Sequence, residues 1–236
     1  MGGIETQVSG LVDYQRKEGH EVFVLTLTPG PEINGVKRFP FRLPNELLWN
    51  PNGLKLVTSA LEELSPDIVH LHLGAASPFA WNGIAAVRNL DLPSVATVHS
   101  IWGSVAKRMY AGAAKKISRK TIFSSVSKTA CDIVSSSLNR DVKLTHNGVD
   151  IEFWSEVKNL ESPRIQIVSA TRFAARKRIR PQIIAIEKIV RELGDKSPHF
   201  TIAGTGPDFA RIQKLIQEKN LTKNIELVGR LDKLQL

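Results

Sequence analysis

The sequence predicts an α/β protein built from two Rossmann-like parallel-sheet domains, the second of them incomplete. Three observations lead there. Short β-rich runs alternate with helical patterns along nearly the whole chain, as parallel strands joined by crossover helices require. A polar stretch near residue 155 breaks that alternation, giving domains at 1–154 and 155–236. Tight glycine or basic turns follow several strands at the point where a helix begins.

Gly2-Gly3 opens directly into Ile4, Val8, Leu11 and Val12, a helical apolar spacing with Glu5 and Gln7 on the wet side. A glycine turn of this kind ordinarily follows a strand and turns its N–H groups toward a phosphate, so the chain is expected to begin one strand late. Gly19-His20 closes the helix. Residues 21–26 read as a buried parallel strand, and Pro29, Pro31, Asn34 and Gly35 mark a loop before a short strand at 36–41. A helix over 47–64 is stopped by Ser65-Pro66, and 67–73 reads as a strand apolar on both faces. A helix over 79–90 and a strand over 94–98, ending at His99, come next. The pattern over 101–120 is a longer helix carrying Lys107, Arg108, Lys115, Lys116, Arg119 and Lys120. A strand over 121–126 leads to Ser127, the expected N-cap of a helix over 128–138, and then to a strand over 142–146.

Asn147-Gly148-Val149-Asp150 is a turn, and 155–163 is polar enough for a linker. Beyond it come a strand at 165–170, a helix at 181–193, a strand at 199–203, the turn Gly204-Thr205-Gly206-Pro207, a helix to near Lys219 and a strand at 224–228. Three strands and two helices leave a sheet whose apolar faces are only partly covered. The second domain is therefore expected to pack on further chain or on a partner, or to be poorly stable.

Composition narrows the function classes. With 42% apolar residues in 236, the chain can bury one large core or two modest ones. Its single cysteine, Cys131, excludes an internal disulfide and fits a reducing compartment. No run of eighteen apolar residues exists to span a membrane, and the N-terminus has neither the basic nor the apolar region of a secretory signal, so the cytoplasm is expected. The formal charge of +9 asks for an anionic partner: nucleotide phosphates, an acidic membrane face or nucleic acid. Nucleic acid is the poorest fit, because the aromatics are few and do not interleave with the basic residues.

The charge concentrates after the strand at 165–170. Arg172, Arg176, Lys177, Arg178 and Arg180 crowd one turn at a helix start, with no acid among them. Cations at a helix N-terminus repel one another and the macrodipole unless an anion binds there. These residues describe either a diphosphate pocket or a solvated basic loop. His70 and His72 share one strand face by the period of two and are read as packing residues, not metal ligands.

Several stretches now fall in one order: Gly2-Gly3-Ile4-Glu5, Gly19-His20-Glu21-Val22, Pro66 through His72, Thr97-Val98-His99, Val126-Ser127, Asn147 through Asp150, Arg172 through Lys177, and Gly204 through Pro207. Together they resemble the retaining family 4 glycosyltransferases, truncated at both ends. The resemblance implies the two-domain GT-B fold, with an acceptor-side first domain and a nucleotide-sugar-binding second. It implies transfer from a nucleoside-diphosphate sugar to a glycan or lipid acceptor with retention. The alternative is a catalytically inactive nucleotide-binding or partner-binding module.

Residue by residue, the resemblance makes Arg172 and Lys177 the grip on the donor diphosphate, a bidentate guanidinium and a point-charge ammonium suited to a leaving group gaining negative charge. No Asp-x-Asp motif is present, so neither a metal nor a cofactor is expected. Gly2 and Gly3 match the loop approaching the donor phosphates. His99 matches a histidine lining the sugar site, with a positioning and polarising role. Gly204, Gly206 and Pro207 match the turn beside the nucleotide, with Thr205 in place of the usual Asp, and Leu231 matches a contact to the donor base. Thr171 and Arg178 stand where the family usually has glycine. The chain ends before the segment in which the family carries two glutamates separated by seven residues, which predicts little or no transfer activity by this polypeptide alone. The basic helix, with Met109, Tyr110 and Ile117, is read as either a solvated face or a peripheral contact with anionic lipid at the inner face of the membrane.

Overall fold

All strand pairs within the three sheets run parallel, and a helix joins each pair of consecutive strands in the four-stranded and the three-stranded sheet. The computed structural model describes residues 3–39, 51–75, 77–114, 117–155 and 162–236, the side chains of 51 and 113 excepted. It divides into two units, Met1–Ser155 and Glu156–Leu236.

The first unit runs α1 (Gly3–Lys17), β1 (Val24–Thr26), β2 (Val36–Arg38), α2 (Pro51–Leu64), β3 (Val69–Leu73), α3 (Pro78–Asn89), β4 (Ser94–Val98), α4 (Ser104–Ala113), β5 (Thr121–Ser125), α5 (Lys128–Leu138), β6 (Val142–Leu144) and α6 (Ile151–Ser155). Local chemistry sets several ends. At the close of α1 the His20 N–H reaches the Gln15 carbonyl at 3.1 Å while Gly19 turns left-handed at φ +87°, a conformation costly for any residue with a Cβ. At the start of α5 the Ser127 hydroxyl accepts from the Ala130 N–H at 3.3 Å, as the N-cap expectation requires.

Strands β3-β4-β5-β6 form one sheet in sequence order; β1 and β2 form a second, separate sheet. In-order parallel strands with right-handed crossovers put α3, α4 and α5 on one face. That face buries Leu71 and Leu73 of β3, Ala96 and Val98 of β4, and Phe123 of β5 against Val87, Trp102, Tyr110 and Val134. Buried hydroxyls pair across the strands, Ser94 with Thr121 at 2.9 Å and Thr97 with Ser124 at 2.8 Å, so these polar strand residues carry no desolvation penalty. The expectation of a strand apolar on both faces at 67–73 fails, because β3 turns His70 and His72 to the side opposite its leucines.

The expected helix over 101–120 is shortened to α4. Trp102 is buried before it starts, and after it the Arg140 guanidinium donates to the carbonyls of Ile117 and Ser118, at 3.4 and 3.1 Å, and holds the chain for its entry into β5. Helix α6 was not anticipated; the Asp150 carboxylate accepts from the Phe153 N–H at 3.1 Å and starts it. The end of the strand expected at 36–41, the start of the helix expected at 47–64 and most of the 155–163 linker lie outside the described residues.

The second unit runs β7 (Gln166–Ala170), α7 (Ile179–Leu193), β8 (His199–Ala203), α8 (Phe209–Glu218) and β9 (Ile225–Gly229), with sheet order β7-β8-β9. Helices α7 and α8 cover one face through Ile183, Ile186, Ile212 and Ile216, packed on Phe200, Ile202 and Ile225. The apolar run at 165–170 forms β7, with Ile165 71% exposed and Val168 66%. Among the described residues β7 has one strand neighbour, and both crossover helices lie on a single face.

Candidate functional site

In the second unit the basic turn is built between two buried anchors. Phe173 is fully buried, its ring 5.1 Å from that of Phe209, and Ile179 is buried at the head of α7. Pinning these two side chains leaves Arg172, Arg176, Lys177, Arg178 and Arg180 projecting into solvent. Among the described residues none of the five has a carboxylate partner, although six other ion pairs form. Residues Ala175–Lys177 make a 3-10 turn, and Arg178 adopts φ +55° before α7 begins. Arg178 therefore takes the left-handed shape that a glycine would take at no steric cost.

The turn after β8 locks this loop. The Thr171 N–H donates to the Ala203 carbonyl at 2.9 Å, the Phe173 N–H to the Thr205 carbonyl at 3.0 Å, and the Asp208 N–H to the Phe173 carbonyl at 3.1 Å. The two backbones approach so closely that a Cβ on Gly204 would collide with the Thr171 carbonyl, and one on Gly206 with the Phe173 carbonyl. Gly204 N–H also donates to the Gly229 carbonyl, which brings the end of β9, and Leu231 two residues on, to the same edge of the sheet. Arg172, Gly204, Gly206 and the 229–231 segment thus gather at the carboxyl ends of β7, β8 and β9, with Lys177 on the turn that follows. The free backbone N–H groups and cations of such an edge suit a phosphate.

In the first unit His99 follows β4, and its backbone N–H donates to the Leu73 carbonyl at 2.8 Å. Its ring Nε2 lies 2.9 Å from Nδ1 of His72. Beside them His70 Nε2 meets the Thr97 hydroxyl at 2.7 Å, and the His70 and His72 rings stand 4.1 Å apart. Burial is the main cause holding all three imidazoles below the ordinary histidine range, His72 to about 3, with mutual repulsion of the rings adding to it at His70 and His72; a hydrogen bond to the Asn147 side chain pulls His99 partly back up.

Gly3 is the first residue of α1, with open space where a Cβ would stand; Gly2 lies outside the described residues. One turn into α1, the Gln7 amide clasps Gly148: its nitrogen donates to the Gly148 carbonyl at 3.2 Å and its oxygen accepts from the Gly148 N–H at 3.1 Å. That clasp ties the start of α1 to the turn bearing Asn147. Sequence reasoning missed Gln7, Phe173 and the engagement of His72 with His99. Only the period-two spacing of His70 and His72 hinted at the last.

The lipid-facing reading of the 107–120 segment needs correction. Tyr110 and Ile117 are core residues, Tyr110 donating to the Ala75 carbonyl at 2.9 Å, and Lys120 pairs with Asp91 at 2.6 Å. The solvent side of α4 instead shows Val105, 84% exposed, and Met109 one turn on, beside Lys107 and Arg108, with Ile101 just ahead of the helix.

The profile of Glycosyltransferase Family 4 matches residues 1–153, and that of Glycosyl transferases group 1 matches residues 150–236. The chain belongs to glycosyltransferase family 4. Alpha-monoglucosyldiacylglycerol synthase of Acholeplasma laidlawii is 22% identical to this family 4 chain over 97% of its length. The GPI3 subunit of phosphatidylinositol N-acetylglucosaminyltransferase from Saccharomyces cerevisiae strain YJM789 is 25% identical over the same share. The family 4 chain spans 66% and 55% of the lengths of these two relatives. Among solved structures, Anabaena Alr3699/HepE in complex with UDP and glucose superposes with a TM-score of 0.69 at 17% identity, covering 98% of this chain and 66% of that one. WaaG, a glycosyltransferase involved in lipopolysaccharide biosynthesis, gives 0.70 at 12% identity, covering 100% and 68%. The family 4 chain therefore has two Rossmann-like parallel α/β units of the GT-B type.

Proposed function

We propose that this protein transfers a sugar from a nucleoside-diphosphate sugar to a lipid or glycan acceptor, with retention at the anomeric carbon. The observation that carries the reading is the loop at the carboxyl end of β7, pinned by Phe173 and Ile179, whose five cations, Arg172, Arg176, Lys177, Arg178 and Arg180, have no carboxylate partner among the described residues. Arg172 and Lys177 hold the diphosphate and stabilise the charge that grows on it as the glycosidic bond breaks. Gly2 and Gly3 bring backbone N–H groups to the phosphates, Gly204 and Gly206 keep the nucleotide turn tight, Leu231 contacts the base, and His99 positions and polarises the sugar. No step calls for a metal. The 1–154 domain serves the acceptor and the 155–236 domain the donor. The UDP and glucose of the Anabaena structure, the lipid product named for the A. laidlawii relative and the phosphatidylinositol named for the yeast relative support this choice of donor and acceptor classes.

The acceptor is reached at an anionic membrane surface in the cytoplasm. Val105 and Met109 enter the headgroup layer while Lys107 and Arg108 meet lipid phosphates.

Calorimetry with UDP and GDP tests the donor site. Each of Arg172→Ala and Lys177→Ala is expected to weaken binding about tenfold, the equivalent of about 1.4 kcal/mol for an exposed charge-assisted contact. Affinity unchanged in both variants, or no nucleoside diphosphate bound by the wild type, overturns the reading. Binding without sugar transfer to any lipid or glycan acceptor supports the inactive binding module instead.

A further inference from the structure

The cationic turn after β7 carries more charge than a diphosphate takes up. Arg172 and Lys177 answer the two acidic phosphates of a nucleoside-diphosphate sugar, and Arg176, Arg178 and Arg180 remain. We propose that these three arginines bind a carboxylate on the donor sugar, so that the group transferred is a hexuronic acid. This deepens the reading of the turn as a donor site and rests on it.

The protein itself does not balance the three. Among the described residues no ion pair and no side-chain hydrogen bond holds any of them. Cations elsewhere are put to use: Arg140 donates to the Ile117 and Ser118 carbonyls, and Lys120 pairs with Asp91. Nor is the second unit short of acid. Glu187, about two turns along α7 from Arg180, takes both Arg191, at 3.6 Å, and Lys219, at 2.6 Å. Like charges gathered in one short turn repel one another, so their energy is lowest with an anion among them.

Arg178 adds the cost of its own backbone. It stands at φ +55° and ψ +37°, a left-handed shape that glycine takes freely and arginine only under strain. A side chain kept at such a position with no ion pair or hydrogen bond among the described residues points to a contact outside the chain. All three residues are arginines. The guanidinium is a planar fork of N–H groups that fits the two oxygens of a carboxylate, where a lysine is a point charge.

The ligand class follows from where a donor can carry further charge. Its base and ribose are neutral and its phosphates are already answered, so the additional anion lies on the sugar. A hexuronic acid has its carboxylate at C6, one ring's width from the β-phosphate. Arg176 and Arg178 are the chain neighbours of Lys177, their Cα atoms about 3.8 Å from its own, and their side chains are exposed. A carboxylate that close to a phosphate held by Lys177 is within their reach.

The test is calorimetry of the full chain with UDP, UDP-glucose, UDP-glucuronate and UTP at about 0.15 M salt, where attraction between exposed charges is screened beyond about 8 Å. Should the wild type bind GDP and not UDP, then GDP, GDP-mannose, GDP-mannuronate and GTP take their places. The wild type is expected to bind the uronate about tenfold tighter than the neutral sugar, the size of one charge-assisted contact. Arg178→Gly should lower that preference to about threefold or less, and adding Arg176→Ala and Arg180→Ala should remove it, with UDP affinity within about threefold of wild type throughout. Because Arg178→Gly relieves a left-handed residue, its lost preference is not a loss of fold. Equal affinity for the two sugars, a preference unchanged in Arg178→Gly, or one that survives the loss of all three arginines overturns the proposal. So does UTP exceeding UDP by as much as the uronate exceeds the neutral sugar, which assigns the arginines to a third phosphate. Should the triple variant fail to fold, the wild type and Arg178→Gly decide. A chain that binds no nucleoside diphosphate defeats the donor reading and this proposal with it; one that binds UDP without preferring the uronate defeats this proposal alone.

Discussion

Replacing Gly204 with alanine tests the coupling of the turn after β8 to the cationic loop. The added Cβ meets the Thr171 carbonyl, a backbone atom, so no side-chain rotation makes room for it. The position also sits at φ +136°, where a residue with a Cβ is strained by about 1–3 kcal/mol. Moving the turn away weakens the bonds from Gly204 N–H to Gly229, from Thr171 N–H to Ala203 and from Phe173 N–H to Thr205, each contributing about 1 kcal/mol. With two of the three lost, the total is about 3–5 kcal/mol, a large part of the roughly 5–15 kcal/mol that holds an ordinary domain. Native-state hydrogen exchange reads this directly. At about 1.4 kcal/mol per tenfold, β8 amides should lose about two to three and a half orders of magnitude of protection, while β4 and β5 of the first unit serve as the internal reference. Gly194→Ala is the control: its φ of +54° and ψ of −124° strain a residue with a Cβ by about 1–3 kcal/mol, but no atom lies within 4 Å of the added Cβ, so the backbone strain acts there without a collision. UDP affinity should fall in Gly204→Ala as well, since Arg172 lies between the displaced residues Thr171 and Phe173. Protection in β8 within about twofold of wild type would show that the close approach at Thr171 is not what requires glycine.

Arg178→Gly should stabilise the second unit by about 0.5–1 kcal/mol in urea denaturation, because the relief of a left-handed residue exceeds the extra chain entropy of glycine; a destabilised variant would mean that the Arg178 side chain makes a contact worth more than its strain. The low pKa of His72, about 3 against about 6.5 unfolded, means that below pH 6.5 the unfolded chain binds a proton the folded one refuses. Stability present above pH 6.5 should therefore fall on acidification, by about 1–2 kcal/mol between pH 6.5 and 5, with a shallower slope in His72→Asn; a flat profile over that window contradicts the burial of this ring. Val105→Asp with Met109→Asp should reduce sedimentation with phosphatidylglycerol vesicles at least about fivefold and leave UDP affinity unchanged, whereas equal sedimentation of variant and wild type removes α4 from the membrane reading.

Local pattern was enough for most elements. Strand β4, helix α5 with its Ser127 cap, and strand β8 stand where periodicity and capping chemistry put them, because a helix or strand declares itself within a few residues through side-chain spacing and the needs of its ends. The close turn at Gly204 and Gly206 and the cationic turn after β7 were legible for the same reason: glycine and unpaired charge carry their meaning locally. Other features depended on which neighbours arrived. The run at 165–170 declares a strand, and only the order β7-β8-β9 shows that among the described residues it has a single strand neighbour. Tyr110 and Ile117 read as surface companions of lysines until the packing of the first unit puts them in its core, Tyr110 against the rings of Trp81 and Trp102. Phe173, one residue among cations, becomes the anchor of its loop through contact with a helix more than thirty residues later. The pairing of His72 with His99 joins residues 27 apart, and it exists because β3 and β4 run parallel in a register that puts His72 beside Thr97, two residues short of His99. The sequence by itself determined which segments are strands, helices and phosphate-type turns; the tertiary structure alone decided which side chains meet, because spacing along the chain records how each element is faced but not what is brought against that face.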